Sequence, residues 1–181
     1  MNPRIISGSL KGRHIKVPKT SVEPTKDIVK ESLFNILGEV TRKSFVDLYA
    51  GSGNVGIEAL SRGAGLVTFV ESNPAHIRVI RENLSLFQLE ADLIQSDVIY
   101  FLRSYSGMPV DYIFLDPPYR DFDYDSLLAT LSGSKLVSTT SLIILEHHEK
   151  QAICLTKSRF YESDHRKYGS TLLRFIHLGD Q

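Results

Sequence analysis

The sequence predicts a doubly wound α/β fold built on a mostly parallel, seven-stranded sheet, and three observations carry that prediction. Between residues 45 and 146, short apolar runs alternate with amphipathic stretches, the pattern of strand–helix units whose parallel strands are buried on both faces. A glycine-rich turn, Gly51-Ser52-Gly53-Asn54-Val55-Gly56, follows the first run directly. Acidic residues stand at the ends of the runs (Asp47, Glu71, Asp97, Asp116 and Glu146), which is the rim where open α/β sheets bind ligands.

Taken in order, Arg4–Gly8 and Arg13–Pro18 read as two short strands of a hairpin lying outside the main sheet, joined by a turn with Gly8, Lys11 and Gly12. Pro24-Thr25 opens a helix from about Lys26 to Leu37, which Gly38 stops. Phe45–Leu48 is the first strand of the main sheet, and the helix after the glycine turn runs to about Arg62. Leu66–Glu71 is the second strand. Asn73 caps the next helix, with Pro74 at its first position and Ile77, Ile80 and Leu84 on one face. Asp92–Gln95 is a short third strand, followed by a helix to Arg103. Tyr112–Leu115 is the fourth strand, ended sharply by Pro117 and Pro118, neither of which can donate to a ladder. A helix at Ser126–Leu131, a strand at Ser141–Glu146 and an antiparallel hairpin (Ser158–His165, Ser170–His177) complete the chain. The whole reads as a Rossmann-like sheet: a basic hairpin-plus-helix extension over residues 1–40 and a catalytic domain over 41–181.

Charge is unevenly spread although it sums to zero. Residues 1–30 carry seven Lys/Arg against Glu23 and Asp27, so a basic arm sits on a mildly acidic body and favours a polyanionic partner. A solvated hairpin is the plain alternative. The single Cys154 precludes an intramolecular disulfide and fits a reducing compartment, so the expected location is cytoplasmic. There is no apolar run of membrane-spanning length, no secretory signal and no metal-ligand spacing, and the size fits a monomer.

The glycine turn matches G-x-G-x-x-G, with Glu71 twenty residues after Gly51, which fits a dinucleotide-binding fingerprint, with a purely structural glycine turn as the plain alternative. Asp47, just before the turn, would oppose a pyrophosphate and favour a ligand bearing ammonium and sulfonium groups. The acidic rim therefore points to S-adenosyl-L-methionine over NAD. Glu71 can accept from two ribose hydroxyls, and Asp97 is placed for an adenine amino group. Each acid also has a bland reading: Asp47 beside a helix dipole, Glu71 as a solvated strand-end acid, Asp97 as a helix cap. At Asp116-Pro117-Pro118-Tyr119 a carboxylate, a stiff backbone carbonyl and an aromatic ring can grip a planar group carrying an amine.

Asp47-Leu-Tyr-Ala-Gly-Ser-Gly with a downstream Asp116-Pro-Pro-Tyr resembles the class I S-adenosylmethionine-dependent methyltransferases that act on exocyclic or amide nitrogens. Arg4-Ile-Ile-Ser-Gly, Lys11-Gly-Arg13, Pro24-Thr25 through Asn35, and Gly56-Ile-Glu-Ala-Leu-Ser-Arg62 narrow the resemblance to the RsmD family of bacterial 16S rRNA guanine-N2 methyltransferases, over roughly residues 4 to 178. The resemblance implies that Asp47, Tyr49, Ala50, Gly51, Ser52, Gly53 and Gly56 surround the methionine part of the cofactor. It places Glu71 and Ser72 at the ribose, Asp97 and Val98 at the adenine, and Asp116, Pro117, Pro118 and Tyr119 around the target guanine. The partner it implies is 16S rRNA in a small-subunit ribosomal particle, met by Arg4, Lys11, Arg13, Lys16, Lys26 and Lys30. Glu23, Lys26, Ile28 and Lys30 depart from the family pattern, where Arg, Thr, Arg and Arg are common. Other substrates of the same motif (DNA adenine, protein glutamine), an NAD-dependent oxidoreductase and a non-catalytic RNA-binding module stay open from the residues alone.

Overall fold

In the computed structural model, which describes residues 2–18, 27–118, 122–155 and 158–179, seven strands form a single sheet in the order β3-β2-β1-β4-β5-β7-β6. The strands are β1 (Ser44–Leu48), β2 (Leu66–Glu71), β3 (Asp92–Gln95), β4 (Tyr112–Leu115), β5 (Leu142–His148), β6 (Phe160–Tyr168) and β7 (Thr171–Leu178). The first five are parallel, and β7 joins β5 antiparallel with β6 outside it. Five helices accompany them: α1 (Asp27–Leu37), α2 (Asn54–Ser61), α3 (Pro74–Phe87), α4 (Val98–Ser104) and α5 (Tyr124–Gly133). The doubly wound expectation is met, with strand order reversing between β1 and β4, so that a crevice opens there at the C-terminal strand ends.

The two sheet faces bury separate cores. Phe45, Val67, Phe69, Phe114, Ile144 and Phe175 pack toward α1, α2 and α3, whereas Val46, Leu48, Ile113, Leu115, Ile143 and Leu145 pack toward α4 and α5. Alternation along each strand fixes which face a residue meets. Asn73 caps α3 by accepting from the Ala75 amide at 2.9 Å, with Pro74 at the first helical position as the sequence predicts. Asp123 caps α5 through the Ser126 amide at 2.9 Å, so that helix begins at Tyr124, two residues before the predicted Ser126.

The basic extension departs from prediction in two ways. Among the described residues Arg4 and His14 form only an isolated antiparallel bridge, without the two expected strands. The two limbs still pair as a hairpin, the amides of Ile5, Gly12 and Ile15 donating to the carbonyls of Arg13, Ile5 and Pro3 at 2.8, 2.8 and 3.1 Å, and the backbone between them turns to α2 and α3 as well. The amides of Ile6 and Ser7 donate to the Glu58 carboxylate at 2.8 and 3.0 Å, and the Leu10 amide to Ser61 Oγ at 3.0 Å. Lys16 exchanges both of its backbone groups with the Asn83 side chain, at 2.9 and 3.0 Å. Ile5 and Ile15 are 1% and 0% exposed and belong to the same core as Phe34 and Phe45, so the described part of the extension shares the body's core.

The second correction concerns Lys30. The sequence places it on an exposed helix edge as an RNA contact, yet its side chain is wholly buried. Its Nζ donates to the Arg4 carbonyl and to Asn54 Oδ1, both at 2.7 Å, and lies 3.2 Å from Glu58 Oε2. Burial lowers its pKa, and the Glu58 charge works against that. Lys30 is an internal strut between α1, the extension and α2. Lys26 and Pro24-Thr25, the predicted start of this helix, lie outside the described residues.

Candidate active site

The glycine turn after β1 is shaped by two carboxylates. Asp47, 2% exposed, accepts the Gly56 amide on Oδ2 at 2.9 Å. Gly53 offers α2 no side-chain cap, so Asp47 takes that part from the neighbouring strand. Glu71, at the end of β2, accepts the Gly51 amide on Oε2 at 2.9 Å and the Asn73 amide on Oε1 at 2.8 Å. Gly53 sits at φ 78, which a side chain would strain, and a Cβ on Gly56 would stand 2.2 Å from the Phe69 ring. Tyr49 also adopts a left-handed backbone at φ 60, an uncommon conformation for a bulky residue. Ala50 donates to the Val70 carbonyl at 3.2 Å, and the Ser52 carbonyl accepts from Asn83 Nδ2 at 3.3 Å.

These bonds bear on the cofactor. A dinucleotide pyrophosphate needs the loop amides as donors. Here the amides of Gly51 and Gly56 already point at carboxylates. Burial raises the Asp47 pKa well above 3.8, and the nearby charges of Asp116 and Glu71 raise it further. Acids gathered at one rim favour a cation, which fits an ammonium and a sulfonium. Glu71 keeps one acceptor lone pair on each oxygen beyond its amide bonds, enough for two ribose hydroxyls. Ser72 is exposed beside it on the rim.

Asp97 is exposed and caps α4 through the Tyr100 amide at 3.0 Å. Its helix-cap reading is therefore met, and its second carboxylate oxygen does not take part in that bond. Val98 opens the helix, so its amide belongs to the first turn, whose N–H groups have no intrahelical partner. The two residues together offer one acceptor and one donor side by side.

Asp116 follows Leu115, whose register partners are Leu48 in β1 and Leu145 in β5, so it stands at the strand-order reversal, level with Tyr49. It is half-buried, Pro117 is buried and Pro118 exposed. Glu146 is next to it across β5 and 3% exposed. The fourth member of the motif, Tyr119, lies outside the described residues. Asp47, the glycine turn, Glu71 and Asp116–Pro118 are thus gathered at one rim.

Phe122, Tyr124 and His76 escape sequence reasoning. Tyr49, Phe122 and Tyr124 form a chain of edge-on rings with centroids 5.7 and 5.0 Å apart on the Asp116 side of the rim. Burial, and then the Asp116 charge, pushes the Tyr124 hydroxyl up to about 12, and that hydroxyl donates to Gln151 Oε1 at 2.9 Å. The turn between the motif and α5 carries no periodic signal that would have placed Phe122 there. His76 Nδ1 lies 3.5 Å from Glu71 Oε2, and only the single turn of helix after the Asn73 cap marks its position. Arg4, Lys11, Arg13 and Lys16 are exposed as expected. Arg4 stands 4.0 Å from Asp27, Arg13 lies over the Phe87 ring, and Lys16 pairs with Glu82 at 2.9 Å.

Comparison with known proteins decides the family. Residues 3–177 match the model described as Conserved hypothetical protein 95. Ribosomal RNA small subunit methyltransferase D of Escherichia coli (strain K12) is 34% identical, over 79% of this chain and 73% of its own. Its counterpart from Buchnera aphidicola is 32% identical, over 85% of this chain and 82% of its own. The chain belongs to the RsmD family. Its fold is likewise that of the hypothetical protein TTHA0928 of Thermus thermophilus, with a TM-score of 0.82, 30% identity and 97% and 99% of the two chains covered. Membership of RsmD makes the chain a methyltransferase.

Proposed function

We propose that this RsmD-family protein transfers a methyl group from S-adenosyl-L-methionine to the exocyclic N2 of a guanine in 16S rRNA, within a small-subunit particle in the cytoplasm, acting as a monomer. One observation carries the reading: Asp116 and the Pro117 carbonyl stand at the strand-order reversal beside Asp47 and a glycine turn whose amides face carboxylates. The relatives named as small-subunit rRNA methyltransferases support the choice of RNA.

When bound, the donor supplies a methyl group already activated on a sulfonium. The chain supplies placement and charge. An aryl amine is a poor nucleophile because its lone pair is delocalised into the ring. Asp116 and the Pro117 carbonyl accept the two amine hydrogens, turning the lone pair out of conjugation and toward the methyl. Tyr119 stacks on the base, worth about 1–3 kcal/mol. The base leaves its stack to enter, since the reacting nitrogen is otherwise out of reach.

Asp116→Ala tests the site, with donor affinity and methyl transfer measured separately. Transfer is expected to fall by about a hundredfold or more, roughly 2.7 kcal/mol, while donor affinity holds within a few-fold. Transfer surviving within about tenfold contradicts the role given to Asp116.

A further inference from the structure

Beyond the crevice, the exposed side of α3 and the second limb of the extension enclose an open groove of about 470 Å³, lined by Lys16, Arg78, Arg81, Glu82, Ser85 and Leu86. Arg78 and Arg81 are three residues apart on a helix, so they share a face, and both are exposed. Glu82, the one acid of the groove, is engaged by Lys16 at 2.9 Å. Among the described residues neither arginine makes an ion pair. The groove therefore keeps two uncompensated guanidinium groups, on a body that is net acidic outside residues 1–30.

Its walls are also fixed relative to each other. Asn83, fully buried, accepts the Lys16 amide at 2.9 Å, donates to the Lys16 carbonyl at 3.0 Å and reaches the Ser52 carbonyl of the glycine turn at 3.3 Å. One side chain thus pins the basic limb to α3 and both to the cofactor turn. Two forked donors on a rigid face suit phosphate oxygens, and the half-exposed Leu86 offers an apolar surface to a ribose or base. We propose that this groove is a phosphate track: Arg78, Arg81 and Lys16 hold the phosphodiester backbone of the substrate RNA on the α3 side of the molecule, apart from the target base. The proposal rests on the RNA methyltransferase reading above and extends its RNA surface from the extension onto α3.

The test is the exposed pair Arg78→Glu/Arg81→Glu, with Arg78→Gln/Arg81→Gln as the milder variant. Binding to small-subunit particles lacking the modification is measured over a series of salt concentrations, together with steady-state methylation. The charge-reversal variant is expected to raise the KM for particles tenfold or more with kcat and donor affinity kept. The neutral variant should flatten the slope of log affinity against log salt by about 1 to 2, for two lost phosphate contacts. An unchanged KM and slope would overturn the track. A loss of particle affinity at unchanged slope would also overturn it, by placing a protein of the particle in the groove. Wild-type protein that methylates no small-subunit RNA or particle would instead sink the functional reading, a different failure from a variant that behaves like active wild type.

Discussion

Asp47 shows how one residue can serve the fold and oppose it. Its carboxylate caps α2 through Gly56, yet burial and the charges of Asp116 and Glu71 hold its pKa far above 3.8. The sign follows from linkage. The folded state binds that proton more tightly than the unfolded chain, so this group's contribution favours folding at low pH and is lost as pH rises from the unfolded value through the raised one. Asp47→Asn keeps an oxygen for the Gly56 amide and removes the charge. At pH 7 it should melt no lower than wild type while binding the donor at least tenfold more weakly, by calorimetry of each. A lower melting temperature with unchanged donor affinity would show a purely structural residue. Sequence alone identified Asp47 as an acid beside the turn, because position and charge suffice for that. The amides that Asp47 and Glu71 occupy were not legible, since they depend on how the turn folds back.

At the scale of elements, Lys30 marks the limit of reading charge from sequence. Helical spacing places Val29, Leu33, Phe34 and Leu37 in the core, and all are buried. Lys30 is adjacent to that stripe, and a lysine there ordinarily snorkels to solvent. Glu58, twenty-eight residues away and held by three N–H donors of the extension and Arg62, draws it inward instead. Lys30→Met should therefore destabilise by about 3 kcal/mol in denaturant titrations, because it strips a partner from a buried carboxylate. A loss below about 0.5 kcal/mol, the range of ordinary surface changes, would contradict the strut. The strands and their order of alternation were visible in the apolar runs. The docking of the extension was not, because it rests on side chains of α2 and α3 that no local pattern announces.

For the molecule as a whole, the extension is part of one core, and separating it at residue 40 follows charge more than packing. Removing residues 1–18 uncovers the sites of Ile5 and Ile15, each worth about 1.5–3 kcal/mol, against a total stability of about 5–15 kcal/mol. The truncated chain should unfold at markedly lower denaturant than the full chain. Melting within a few degrees of the full chain would make the extension a separable module after all. The strand-order reversal that gathers Asp47, Glu71 and Asp116 is what turns scattered acids into a site, and the alternating pattern foretold it. Phe122 and Tyr124, which complete an aromatic wall with the predicted Tyr49, came only with the fold. The central claim is methyl transfer to a guanine N2 in small-subunit RNA, and its most direct measurement uses methyl-labelled S-adenosyl-L-methionine with particles from cells lacking the modification, followed by nucleoside analysis of the 16S rRNA. The account predicts label in N2-methylguanosine with wild type and none with Asp116→Ala. Label in another nucleoside or in protein, or no label at all, would contradict it.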